Sequence, residues 1–525
     1  MGIVLHDPQR AMSLPPSRAA ASQRNWRPLY WLGAGFLLLV LQLMSGTSPL
    51  YAGLVFVFVL FTYLTIKTLG GPDTLTGILV ANMAAQHVLV SQVAKIFFWQ
   101  PADDRLVHPL DTIGVYTVAM CALWVAALVS NATGVGRRRA LFTSDLSTRQ
   151  IYWLAFGTTI LALARGVLTF GVGGGGAAVT GGILGPINTL VFLPDLAIAC
   201  STAYVIRSSQ GRRSIGFGNG SILIGLSVLG VLGTTRLAIL GPFVTYLLTC
   251  VAFRFRFRVS HLVIFGALLL IAFRLLFPLA LMGRSIAHNS KVGLMTNWGT
   301  SFNLLVGAIE DPSIIPDSQR RLAKQPHIFR YYDNDTNLQE LSRYTLIVTT
   351  DAIINSVQTQ GTLGMKTIEP GFVMLVPRFI DPEKPFAHSD NLLAHRVPGL
   401  VNKGDVTTGI SLGFIADAFS SFAWAGVAVI PFLIGFCYFT FYRFIITDKM
   451  WANVWVLALA LHGSWGFSEN PIEGQIAGTL EGPFIMTVSF WLLLKFARAC
   501  ERLQPSGRLL QHFDDRARRK TRYSA

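Results

Sequence analysis

The sequence predicts an all-α fold, a polytopic α-helical integral membrane protein, and three observations carry that prediction. Apolar runs of about 17 to 25 residues recur along the chain, the length needed to cross a hydrocarbon core of about 30 Å. The 525 residues are 52% hydrophobic and only 13% charged. The formal net charge of +16 gathers in short loops and tails, whereas the long break in hydrophobicity at 284–405 holds twelve Lys or Arg against twelve Asp or Glu. A basic face on a soluble fold would not leave such long uncharged runs, so the excess is topological and no nucleic acid partner is expected. The five cysteines lie in or beside the apolar runs, a pattern that implies neither a disulfide framework nor a metal cluster.

Residues 1–27 are rich in Pro, Ala, Ser and Arg without an apolar period and read as a disordered tail, held on the inner side by Arg10, Arg18, Arg24 and Arg27. The charged region is too long for a cleavable signal peptide and no small-x-small site follows 29–44, so that run is a retained first span. Spans are expected at 50–66, 75–98, 112–130, 151–170, 183–206, 222–233, 237–253 and 262–282, giving a transmembrane bundle of about nine helices over 28–283. Arg137, Arg138, Arg139 and Arg149, then Arg207, Arg212 and Arg213, then Arg254, Arg256 and Arg258 all fall on the side of the amino terminus. That parity requires a tight hairpin at Gly233-Thr-Thr-Arg236.

Residues 284–408 form one large loop on the outer side, where long segments escape the charge rule. Within it 338–357 has the best helical periodicity (Leu341, Tyr344, Val348) and is expected to lie on the membrane surface as a lid; glycines and prolines from Gly361 to Pro385 then predict turns. Residues 409–498 return to the membrane and supply the last three spans, at 422–441, 451–465 and 482–496, before a basic inner tail at 499–525. The expected total is about twelve transmembrane helices, with short helices in the large loop and both termini inside.

Chemistry is signalled where positive charge sits against the topological rule. Arg165, Arg236, Arg274 and Arg284 map to the outer third of the membrane or its outer surface. An arginine on a span costs about 2.5 to 3.5 kcal/mol at the helix centre and gains nothing in topology there. Any one of them is equally well explained by a side chain reaching the headgroups. The four together favour an anionic ligand, and guanidinium forks suit the oxygens of a lipid phosphate or pyrophosphate. Asp195, expected near mid-depth of its span, reads as the ion-pair partner of one of these arginines ahead of a proton relay. His87 reads as a hydrogen-bonded bundle histidine, and Lys95 as an anchor that reaches the outer headgroups. In the loop the acid–base candidates are His388, His395, Asp351, Asp381, Glu383 and Asp390. An imidazole accepts a hydroxyl proton near neutral pH without special tuning, so His395, beside Arg396, leads, against the plainer reading of a surface histidine. No metalloprotease, phosphate-loop, nucleophile-elbow or Cys/His metal spacing occurs in a usable context, and neither metal nor cofactor is expected.

Three stretches resemble a known family. Gly233-Thr-Thr-Arg236 opens a span as a frequent Gly-Ser-Arg does in the Wzy-type polymerases of O-antigen and exopolysaccharide repeat units. Val376-Pro-Arg378 with Pro382-Glu-Lys-Pro385 resembles their Pro-Arg followed by Pro-Asp-Lys-Pro. The run from Gly413 through Asp417, Phe419, Ser421, Phe422 and Ala423 to Gly426 is similar to their Gly-x-x-x-Glu-x-Tyr-x-Asn-Phe-Gly-x-x-Gly, with Asp417 in place of Glu, Ser421 in place of Asn and Ala423 in place of Gly. The resemblance covers the chain in architecture and about fifty residues in motif.

It implies a glycosyltransferase of the bacterial inner membrane, multi-pass, with both termini cytoplasmic and the large loop periplasmic. A glycan on polyprenyl pyrophosphate would be transferred, with inversion, to an incoming lipid-linked repeat unit, without nucleotide sugar, metal or other cofactor. The partners implied are the polyprenyl-pyrophosphate-linked oligosaccharide, the lipid bilayer, a chain-length regulator and export proteins. The residue types then suggest Arg236, Arg274 and Arg284, joined by Arg165, for pyrophosphate; Arg378 and Arg396 for donor phosphate or sugar; and His395 or Asp417 for acceptor activation. A glycan ligase of the same architecture, a polysaccharide transporter or flippase and a non-catalytic export scaffold are the competing readings. A transporter predicts repeated halves and discontinuous helices. The sequence has no evident internal repeat.

Overall fold

A computed structural model describes residues 28–135, 140–143, 145–170, 190–232, 236–259, 261, 263, 265–267, 303, 306–307, 310–311, 331–332, 346–376, 381, 389–401, 412–446 and 449–503. Among them the chain is helical, with only two isolated β-bridges. Five helices are long and apolar enough to cross a membrane. These are α2 (Pro49–Thr68), α3 (Leu75–Phe97), α4 (Pro109–Ala132), α12 (Gly413–Ile445) and α15 (Gly482–Leu503). The remaining helices are α1 (Pro28–Met44), α5 (Thr148–Phe170), α6 (Leu193–Ser208), α7 (Phe217–Leu232), α8 (Arg236–Ala252), α9 (Ile347–Gln360), α10 (Glu369–Met374), α11 (Ser389–Arg396), α13 (Val454–Glu469) and α14 (Ile472–Leu480).

Local chemistry fixes many of the starts. Proline stands in the first turn of α2, α4 and α6, where its missing N–H is not needed and its φ suits the helix. The Thr74 hydroxyl accepts the Gly77 N–H to open α3, and the Asn453 side chain accepts from Trp455 and Val456 to open α13. α7 and α8 pack on each other, and the expected hairpin residues 233–235 between them lie outside the described residues. A Cβ on Gly230 would stand 2.5 Å from the Ala238 carbonyl, which is why this crossing needs glycine.

The helices form two adjoining cores. The first is built from α2, α3, α4, α9, α11 and α12, the second from α5, α6, α7, α8, α13 and α15. Apolar side chains left on the outside, such as Phe36, Leu37, Phe484 and Trp491, are those a bilayer would cover. One end of the bundle gathers the turns between spans: Met450 N–H donates to Asp73 O, Ala452 N–H to Ala252 O, Phe142 N–H to Ile445 O and the Arg207 guanidinium to Leu146 O. Arg149, Arg207, Arg254 and Arg443 belong to that end. The starts of α2, α4 and α12, together with α9, α10, α11 and α14, make up the opposite end.

Two expectations change. Ile347, Val348, Ile353, Ile354 and Val357 are buried in the first core against α4 and α12, so α9 is a packed element and no surface lid. Its stretch 338–345 lies outside the described residues. The helix expected over 183–206 begins at Leu193, so Asp195 stands in the first turn of α6 and not inside the helix. Pro194 starts the helix there, and an acid in the first turn suits the positive end of the helix dipole.

Candidate functional site

At the end of the bundle opposite the basic turns, four charged side chains each hold the end of a helix from another element. Asp351 of α9 accepts from the N–H groups of Val107 and His108, both at 2.8 Å, and from the Thr112 hydroxyl at 3.0 Å, which secures the start of α4. Asp417 of α12 accepts the Ile472 N–H at 2.8 Å and so caps α14. Glu473, the next residue of α14, accepts the Ser389 N–H at 3.2 Å at the start of α11. Arg396, at the far end of α11, donates to Gly361 O at 2.8 Å and Gln360 O at 3.3 Å, where α9 ends. Carboxylates at helix starts and a guanidinium at a helix end are the signs the peptide dipoles favour.

Asp417 is wholly buried, with the Ser420 hydroxyl 3.3 Å from its second oxygen; Ser420 and Ser421 hydroxyls both reach its carbonyl at 2.8 Å. Ser421 lies 2.6 Å from Thr367 in the 3₁₀ turn Gly364–Thr367, which brings that segment onto α12 as well. The helix then breaks: Phe422 (φ −139°, ψ 27°) and Ala423 (φ 50°, ψ −135°) leave helical geometry. Gly426 makes this possible, because a Cβ there would lie 2.0 Å from Ala418 O. Asp417 therefore stands on a short half-helix ahead of the membrane-length part of α12. Burial pushes the Glu473 carboxyl up and Asp390 adds to the shift, while the Ser389 N–H and hydroxyl oppose it.

The sequence-derived candidates divide among these features. His395 is exposed on α11 beside Arg396, and both are joined to Asp417 through Glu473 and α14. Arg165 lies on α5 in the second core, where its charge couples to Asp195 on α6 and to His462 on α13. The Thr245 hydroxyl of α8 donates to Asp195 at 2.6 Å. Arg236 opens α8. Arg274, Arg284, Arg378, His388 and Glu383 lie outside the described residues. His87 sits in a π turn inside α3, 3.2 Å from the Tyr116 hydroxyl and 3.0 Å from Ser468 O, as a histidine of the bundle interior. Lys95 does not reach outward; it is fully buried, its ammonium 4.5 Å from the centre of the Tyr331 ring.

Two residues were missed by sequence reasoning. His462 interrupts the apolar run 451–465, and the same rule that singled out Asp195 would have found it. Glu473 carries no such signal, because it follows Pro471 in a stretch that reads as a connecting loop. Among the described residues no three His, Cys, Asp or Glu side chains group as a metal site. No family model matches the chain, and neither a curated protein nor a solved structure matches it.

The geometry gives Asp417 a capping task, and this has a measurable consequence. Asparagine keeps an acceptor for Ile472, so Asp417→Asn should retain folded protein, while Asp417→Ala strands a buried N–H at a cost of about 1–3 kcal/mol. Thermal unfolding of both purified variants reads the difference; equal loss in both would mean that the negative charge, and not the hydrogen bond, is what the site needs.

Proposed function

We propose that the chain is a polymerase of polyprenyl-pyrophosphate-linked oligosaccharide repeat units, acting at the periplasmic face of the inner membrane. About twelve spans, with both termini in the cytoplasm and 284–408 outside, complete this reading. The observation that carries it is the set of arginines, Arg165, Arg236, Arg274 and Arg284, on the side where topology gives them no benefit. The Pro-Arg378 and Gly413–Gly426 stretches add to it by resemblance.

The acceptor hydroxyl attacks the anomeric carbon of the donor glycan as the bond to pyrophosphate breaks, so the configuration inverts. The hydroxyl proton passes to His395, and the electron pair leaves on polyprenyl pyrophosphate. Arg236, Arg274 and Arg284 neutralise that leaving group, which stabilises the transition state directly. Arg165, whose charge acts on Asp195, joins them in this role. Arg378 and Arg396 hold donor phosphate or sugar, and Asp417 stands as the reserve base.

A second reading has one observation in its favour. The break of α12 at Phe422 and Ala423 is a discontinuous helix of the kind transporters use around a substrate. Purified protein supplied with lipid-linked repeat units separates the two: a ladder of lengthened glycans is the expected product. Translocation of the same units across proteoliposomes without lengthening would identify a flippase, and transfer of a finished glycan to another acceptor a ligase.

A further inference from the structure

We propose that Glu473 is the positioning residue for α11, the helix that carries His395 and Arg396; the functional part of this inference rests on the polymerase reading above. An isolated helix of this length is unstable in water, so the direction in which α11 presents its side chains is set by what holds its ends. Arg396 holds one end on the Gln360 and Gly361 carbonyls, and the Gln360 amide returns a hydrogen bond to Arg396 O at 3.1 Å. Glu473 holds the other end through the Ser389 N–H.

The Glu473 side chain is itself immobilised. Its helix is capped by Asp417 one residue earlier, and it is only 5% exposed. From the other side α10 comes backbone-close: a Cβ on Gly371 would lie 3.0 Å from the Glu473 Cα and 2.8 Å from the Ile476 Cδ1. A rigid carboxylate thus transmits the position of α12 to α11 through α14. His395, on the exposed face of α11, is aimed by this relay, while Leu393 seats the helix in the first core and Ala394 is buried beside it.

The test follows undocking of α11 and transfer separately. Ala394→Cys places a thiol on the buried face, and its labelling by a maleimide, resolved by mass spectrometry, reports opening of α11; native Cys200, buried in the second core, is the internal control. Adding Glu473→Ala should raise labelling at 394 about tenfold with Cys200 unchanged, the loss of one buried hydrogen bond read as local opening. Glu473→Gln, which keeps the acceptor, should stay within about twofold. Should Glu473→Ala fail to fold, Glu473→Asp, which withdraws the carboxylate by one methylene, should give an intermediate rise. Unchanged labelling at 394 in the folded variants, or a parallel rise at Cys200, overturns the proposal. In the transfer assay Glu473→Ala should lower turnover and weaken donor binding together, because His395 and Arg396 share α11, and Glu473→Gln should rescue both; a rise at 394 in a protein whose wild type shows no transfer would leave the clamp standing and remove the polymerase reading.

Discussion

Alanine at Arg236 or Arg284 is expected to cut glycan transfer by about 10²–10³-fold, the loss typical of removing one fixed donor from a developing negative charge. The leaving group in the proposed reaction is a pyrophosphate, and its charge grows as the glycosidic bond breaks. A guanidinium supplies two parallel N–H donors to it, so lysine at the same position keeps the charge without the fork and should restore only part of the rate. Arg236 opens α8, whose other end meets the basic turns, so its backbone stands at the end of the bundle that also bears α11 and α14. Full transfer in both alanine variants, at normal protein levels, would return these residues to the role of headgroup contacts.

His395→Ala should lower turnover by about 10²–10⁴-fold while donor binding is kept, as expected when a general base is lost. Imidazole is the side-chain base suited to neutral pH, and His395 is exposed on a helix whose two ends are held by charged side chains. Asp417, by contrast, is buried and uses its carboxylate to cap α14, so Asp417→Asn should cost far less in turnover. Wild-type rates in His395→Ala together with an inactive Asp417→Asn would transfer the role to the aspartate.

Helices of membrane length were legible in the sequence because a spanning helix must be apolar over its whole circumference, and that signal is local. The expected start of a span at 422 falls on the break that Phe422 and Ala423 make in α12. What the sequence hid was the wiring at the opposite end. Asp351 looked like an acid–base candidate, yet it serves Val107, 244 positions away, and no pattern along the chain links them. Glu473 and Ser389 are 84 positions apart, and the acid reads as a loop residue until α14 is seen. Lys95 stands where a reaching lysine is expected, but Tyr331 covers it. Helix α9 was recognised near its observed place, whereas its burial depends on α4 and α12, which local periodicity cannot register.

The central claim, polymerisation of lipid-linked repeat units on the outer side, is tested most directly by the lipid-linked glycans of a strain lacking this chain. Extracted polyprenyl-pyrophosphate glycans would be sized by mass spectrometry, and their side of the membrane read with a glycosidase that cannot cross it. Single repeat units accumulating on the periplasmic side, with long chains lost, are the predicted result. Long chains left on the lipid carrier, or single units confined to the cytoplasmic side, would contradict it.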